Sequence, residues 1–230
     1  MGGAVMGLIF SFITVTLRAN QNVTGLALTT FGVGVSDFMI ARTGAIYSRG
    51  SRYFTMSLPF ADDLGWFGEL FLSHGVLIYL AIIIALVSAF ILNKTRIGLN
   101  LRAVGENPAT ADAAGINVSR YRYASTCIGC AIAGLGGLYY VMDYADGVWS
   151  NDGFGDRGWL AIALVIFANW NTALAILGTF AFGLFNTLQV YGGSLSDAFP
   201  KALGWLSKIP PQFMQALPFI ITAIVLVVSS

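Results

Sequence analysis

Seven apolar runs, separated by shorter polar stretches, set the pattern of this chain: Gly3–Leu17, Val23–Ile40, Val76–Leu92, Tyr123–Met142, Trp159–Phe167, Thr172–Val190 and Phe213–Val228. Most approach the roughly 20 residues that a helix needs to cross the hydrocarbon core of a bilayer. Trp159–Phe167 is too short to span alone. It is predicted as a tilted or broken helix, or as half of a re-entrant pair with the run after it, a conformation tolerated where protein covers it. No segment carries the ten-residue alternation of outer-membrane strands. The pattern therefore predicts an all-α, polytopic integral membrane protein with about seven membrane-spanning or re-entrant helices, organised as a single transmembrane domain over residues 1–230.

The polar interruption at Leu101–Ile116 reads as one short, sharply bounded helix. Asn107 is a good N-cap, because its side-chain oxygen can accept from a backbone N–H one turn later. Pro108 suits the first helical position, where a missing N–H costs nothing. Ala109 to Ala114 are mostly alanine, the strongest helix former, and Gly115 can adopt the left-handed conformation that closes a helix. About two turns are too few for stability alone in water. Such a helix needs a surface to rest on, and its alanines permit close approach. The competing reading is a surface turn that only connects two membrane helices.

Composition agrees with the pattern. Of 230 residues, 57% are hydrophobic and 10% charged, and the mean hydropathy is +0.75. A soluble domain carries about 25% charged residues. The net charge of +1 gives no basis for a nucleic-acid partner. The start, Met1-Gly2-Gly3, has no basic region of a cleavable signal, and Met6 stands where a myristoylation motif needs Ser or Thr. Cys127 and Cys130 form a C-x-x-C inside an apolar, glycine-rich run, where two small thiols are expected to pack rather than to bind zinc or cycle redox state. His74 is the only histidine and is placed at a membrane edge. No cofactor or metal is expected.

Basic residues orient the chain. Asn93–Arg122 holds Lys94, Arg96, Arg102, Arg120 and Arg122, the densest basic segment, and is assigned to the cytoplasm. Alternation then puts Arg18–Asn22 and the C-terminus inside. It puts Ala41–Gly75, Asp143–Gly158 and Tyr191–Pro211 outside, although these carry Arg42, Arg49, Arg52, Arg157, Lys201 and Lys208. Density in one loop decides the assignment. Within the outer loop, Ser57–Phe71 mixes aromatic and acidic residues as an interfacial segment would. Gly129, Ala133 and Gly137 recur at four-residue spacing, with Gly134 and Gly136 beside them, and Gly3 and Gly7 repeat that spacing; these small residues predict close helix–helix approach.

Candidates for a solute path are few. Asp37 is the only acid inside an apolar run; an intramembrane acid is a functional candidate by default, but its place near the outer end of its helix favours an interfacial acid facing water. Thr29 and Thr30 either line a cavity or bond back to their own helix. Asn169, Trp170 and Asn171 form either a turn with an aromatic anchor or an amide-lined break at the path. An enzyme would need a convergent set of nucleophile, base or metal ligands, and the chain has one histidine and no carboxylate pair in its apolar runs. A coupled secondary transporter or channel would want ionisable groups near the midplane. No G-x-x-x-x-G-K-[ST] occurs, so the chain lacks an ATP-binding P-loop of its own.

These residues carry a resemblance. The block from Gly98 to Pro108, followed by Ala111, Ala114-Gly115-Ile116-Asn117-Val118 and Ile132–Gly137, resembles permease subunits of bacterial ATP-binding-cassette (ABC) importers. Gly158–Ala163 and Ile166–Asn171 match a second block of that family, with Asn near 169 and Thr at 172 where members commonly carry Gly and Pro. The branch includes simple-sugar, nucleoside, ribose and branched-chain amino acid permeases, and members usually have further membrane helices before the point where this chain begins. The resemblance implies that the short helix is a coupling helix seated in a cytoplasmic ATPase, within a coupling loop over residues 93–122. Arg102, Gly105, Glu106, Asn107, Pro108, Ala109, Ala111, Ala114, Gly115 and Ile116 would carry that role. It also implies ATP hydrolysis in that partner, a second permease subunit in a hetero- or homodimer, and an extracellular or periplasmic substrate-binding lipoprotein. The setting would be the bacterial plasma membrane. The implied solute is a nucleoside or simple sugar, with a branched-chain amino acid as the alternative.

Overall fold

Every regular element in the described part of the chain is helical. The structure, a computed structural model, describes residues 1–43, 50, 54, 74–150, 154–155, 157–169, 171–198 and 210–229. The interfacial segment expected at Ser57–Phe71 lies outside the described residues, as does Trp170. The chain divides into two compact units, Met1–Phe154 and Gly155–Ser230.

In the first unit, α1 spans Gly2–Ser11 and widens into a π-helical turn over Phe12–Thr16. The apolar run at Gly3–Leu17 is thus continuous but not uniformly α-helical. Ser11 Oγ donates to the Gly7 carbonyl (2.7 Å) and Thr14 Oγ1 to that of Phe10 (2.8 Å), so both hydroxyls are satisfied within the helix. Next come α2 (Gln21–Thr43) and α3 (Val76–Lys94). Helices α4 (Arg96–Glu106) and α5 (Pro108–Ala113) lead into α6 (Val118–Tyr139), which ends in a π-helical turn over Tyr140–Tyr144. Among the described residues, three helices are long and apolar enough to cross a membrane: α2, α3 and α6 with its extension.

Helix α1 lies directly on α6. A Cβ built at Gly7 would stand 2.8 Å from Cys130 Cβ and 3.1 Å from Cys127 Cα. One built at Gly3 would meet Gly134 Cα at 3.2 Å and the Cys130 carbonyl closer still. The expectation for Gly3 and Gly7 therefore holds, while that for α6 needs correction. Gly129, Gly136 and Gly137 have nothing within 4 Å of an added Cβ, and of the expected small residues Gly134 does meet α1, beside Cys127 and Cys130. Four-residue spacing occurs on more than one face of a glycine-rich helix, so spacing alone picked the wrong one. Both cysteines are free thiols, and Cys130 serves as a small packing residue.

In the second unit, α7 (Arg157–Phe167) has eleven residues and α8 runs from Thr172 to Ala198, well past the predicted end at Val190. Helix α9 covers Pro211–Ser229. At 1.5 Å per residue α7 is about 16 Å long, roughly half a bilayer core. The α7–α8 connection is a tight turn: Asn169 N–H donates to the Ile166 carbonyl (2.9 Å) and Asn171 N–H to that of Ala168 (2.8 Å). The Phe167 and Phe182 rings meet across it at 5.7 Å. Thr222 Oγ1, buried on α9, donates to the Ala163 carbonyl of α7 (3.4 Å).

The apolar surface faces outward. Among the described residues only Leu77, Val104, Ala111, Ala163, Ala168 and Phe182 form a buried apolar set. Phe31, Phe38, Ile83, Leu86, Phe90 and Phe180 are each more than half exposed. Apolar area on that scale must meet lipid or another protein.

Candidate functional site

The polar end of the first unit is built from caps. Thr95 accepts from Gly98 N–H (3.3 Å) and starts α4 only one residue after α3 ends. Gly98 is required there, because a Cβ would stand 2.5 Å from the Ile91 carbonyl oxygen and 2.6 Å from Leu92 Cα. Helix α4 corrects the expectation of a single short helix in this loop. Its apolar positions Ile97, Leu101 and Val104 follow a helical repeat, but charged neighbours masked that signal. Val104 is buried, and Arg102 donates to Asn93 Oδ1 at the end of α3.

Helix α5 has the expected boundaries, with Asn107 and Ala114 as its caps. Asn107 Oδ1 accepts from Thr110 N–H (3.1 Å), and Pro108 opens the helix. Gly115 has φ +82°, its N–H donates to the Asp112 carbonyl (2.9 Å), and Ile116 N–H donates to that of Ala111 (3.0 Å). Those two bonds make a Schellman motif, which closes the helix. Helix α5 packs on α4 and α6. Ala111 is buried and Pro108 and Ile116 are half-buried, whereas Glu106, Ala109, Thr110, Asp112, Ala113 and Ala114 are exposed. So the candidate residues split: Ala111 faces the chain's own helices, and Ala109 and Ala114 face outward, with Gly105 also open. Asn117 caps α6 (Arg120 N–H, 3.0 Å), and Asn100 Nδ2 donates to Tyr121 Oη (2.9 Å), fastening α4 to α6. A hydrogen bond between Thr16 and Tyr123 brings the end of α1 to the same region. The Arg18 turn and the basic segment therefore lie at one end of this unit.

The path candidates separate as well. Thr29 Oγ1 donates to the Gly25 carbonyl (2.9 Å) and Thr30 Oγ1 to that of Leu26 (3.2 Å), and both residues are exposed. Their hydroxyls bond back to their own helix. Asp37 differs: it is half-buried, and its Oδ1 is shielded with no hydrogen-bond partner among the described residues. Asn169 and Asn171 are exposed in the α7–α8 turn, where Asn169 adopts φ +46°. Asn tolerates the left-handed region better than most residues, and glycine does so freely. This conformation suits Asn at a position where the family resemblance leads one to expect Gly nearby. In the second unit an open groove of about 280 Å³ between α7 and α9 is lined by Trp159, Ile162, Ala163, Phe219 and Thr222 among others, and it is almost wholly apolar.

The family described as "Branched-chain amino acid transport system / permease component" matches residues 1–227. The chain belongs to that family. The permease is 33% identical to a nucleoside ABC transporter permease of Lactococcus lactis subsp. cremoris, over 97% of this chain and 70% of that relative. It is 31% identical to a putative glucose ABC transporter permease of Haloferax volcanii, over 97% of this chain and 71% of the relative. A guanosine ABC transporter permease of Bacillus subtilis is also 31% identical, over 97% and 69%. No solved structure matches the chain. The resemblance read from the Gly98–Pro108 block is thereby established: this is a multi-pass membrane permease component of a transport system.

Proposed function

We propose that this permease is one membrane subunit of an ABC importer in a bacterial plasma membrane, and that it forms part of the path for a neutral, hydroxyl-rich solute, with nucleosides preferred over simple sugars. The whole chain acts as one permease domain. A separate cytoplasmic ATPase hydrolyses ATP, a second permease subunit completes the path, and a substrate-binding lipoprotein delivers the solute. The observation that carries this reading is α5. It is too short to stand alone, is capped at both ends, and rests on its own chain mainly through Ala111, while Ala109, Thr110, Asp112, Ala113 and Ala114 stay exposed. An outward face of small side chains at the basic end of the molecule suits a close-fitting protein groove. The names of the similar permeases support the solute class, as do apolar runs whose one acid is Asp37.

The test is reconstitution of the complete importer in proteoliposomes with ATP inside. Uridine and glucose uptake are measured against leucine. ATP-dependent accumulation of uridine, exceeding that of glucose, is the expected result. Transport of leucine alone would overturn the solute class, and uptake that needs no ATPase would overturn the ABC assignment.

A further inference from the structure

The elbow between α3 and α4 gathers positive charge at one level of the bilayer. Helix α3 has 19 residues, about 28 Å, close to the roughly 30 Å of a hydrocarbon core. Lys94 at its end therefore stands at the headgroups, and Arg96 opens α4 after the single residue Thr95. Both side chains are exposed, and neither has an ion pair or hydrogen bond to any described residue. Arg102 differs, because Asn93 holds it. No acid occurs between Val76 and Gly105. Glu106, the first, lies ten residues past Arg96, about 15 Å along α4.

Helix α4 does not carry this charge away from the membrane. Along a continuous helix, nine residues would set Arg102 about 13 Å beyond Asn93, out of reach of one side chain. Their hydrogen bond, and the close approach of Gly98 to the Ile91 and Leu92 carbonyls, mean that α4 turns across the end of α3. Its first turns stay at the headgroup level. Two large apolar side chains are open there: Ile97 is 61% exposed and Leu99 is 68% exposed. Leu99 stands three residues from Arg96 and shares its face of the helix. Bare aliphatic groups beside unpaired cations at a membrane boundary match an amphiphile with an anionic head and acyl chains. A polar groove on a soluble protein would suit the cations and leave both aliphatic groups unmatched.

We propose that the α3–α4 elbow is a binding surface for an anionic phospholipid. Lys94 and Arg96 hold the headgroup phosphate, and Leu99, with Ile97 at its flank, rests against the upper acyl chain. Guanidinium and ammonium groups are the usual donors to phosphate, and their bonds to it are charge-assisted. The lipid is supplied by the bilayer in which the chain sits. The surface depends on that membrane location and on neither the transported solute nor the direction of transport.

The experiment places the purified full chain in nanodiscs of equal parts phosphatidylglycerol and phosphatidylcholine. Native mass spectrometry then reads the ratio of the two lipids retained on the released protein. The parent should retain phosphatidylglycerol in preference. Lys94→Gln with Arg96→Gln should lower the ratio at least about fivefold, and each single change about twofold or more. Lys94→Arg with Arg96→Lys keeps both charges and should keep the preference. Leu99→Ser should reduce the phosphatidylglycerol retained although no charge is altered. Arg42→Gln, at the far end of α2, should leave the ratio unchanged, and excess inorganic phosphate should not displace the lipid. An unchanged ratio in the neutral variants, or an equal fall with Arg42→Gln, would overturn the proposal. So would displacement by phosphate, which would mark a soluble-anion site. If the ratio holds while the neutral variants lose a co-purifying ATPase, the elbow is a protein contact and the lipid assignment is wrong.

Discussion

Replacing Gly7 with alanine adds one methyl group to the tightest helix crossing in the first unit. Its Cβ would stand 2.8 Å from Cys130 Cβ and 3.1 Å from Cys127 Cα. Carbon atoms pack at about 3.5–4.0 Å, so the helices must part by roughly 0.7 Å or more. Overpacking of that kind costs about 1–3 kcal/mol, offset by up to about 1 kcal/mol from better helix propensity. The expected net loss is about 1–2 kcal/mol. Gly136→Ala is the control: nothing lies within 4 Å of its Cβ, so propensity alone acts and stability should rise by up to about 1 kcal/mol. A second substitution distinguishes side-chain from backbone clashes. At Gly7 one neighbour is the Cys130 side chain, whereas Gly3 faces the Cys130 carbonyl and Gly134 Cα. Cys130→Gly should therefore rescue Gly7→Ala by at least about 1 kcal/mol in a double-mutant cycle and leave Gly3→Ala unrescued. Reversible unfolding of the purified chain in mixed detergent micelles, followed by far-UV circular dichroism, measures the parent and every variant. The same shift for Gly7→Ala and Gly136→Ala, or equal rescue at both glycines, would refute the crossing.

Other expectations concern the polar end and the chemistry. Gly115→Ala forces a Cβ onto a residue at φ +82°, costing about 1 kcal/mol or more at the end of α5; hydrogen exchange should quicken at Ile116 N–H while the amides of α3 and α6 are unaffected. Thr110→Cys, with Cys127→Ala and Cys130→Ala, should resist an impermeant thiol reagent in intact cells and react after lysis; labelling from outside would reverse the assigned orientation. The isolated chain should show no ATP turnover in detergent, since it has no P-loop, and robust hydrolysis by the purified chain would contradict a separate ATPase.

Hydropathy made the membrane helices legible because each apolar run must satisfy its backbone internally and so becomes helical. Local chemistry made α5 legible too, since Asn107, Pro108 and Gly115 each have a role that depends on no distant contact. Helix α4 was illegible for the opposite reason. Its stability comes from Val104 burial and from Arg102 and Asn100 reaching α3 and α6, and these are tertiary contacts. The same holds for the α1–α6 crossing, where the partner of Gly7 proved to be Cys130 and not the glycine series beside it. The two threonines and Asp37 were equal candidates as letters. Only hydrogen-bond geometry separated them, by showing which side chains already had partners.

The central claim is that the exposed face of α5 seats an ATPase. Ala114 is exposed, so a bulky side chain there leaves packing within the chain untouched and obstructs only a partner that fits closely. The decisive measurement is the amount of ATPase retained when the Ala114→Trp permease is purified from membranes, alongside ATP-driven solute uptake. Normal expression and insertion, with loss of the ATPase or loss of uptake coupled to its hydrolysis, is the predicted result. Full retention together with undiminished uptake would contradict the claim and leave α5 as a connector between α4 and α6.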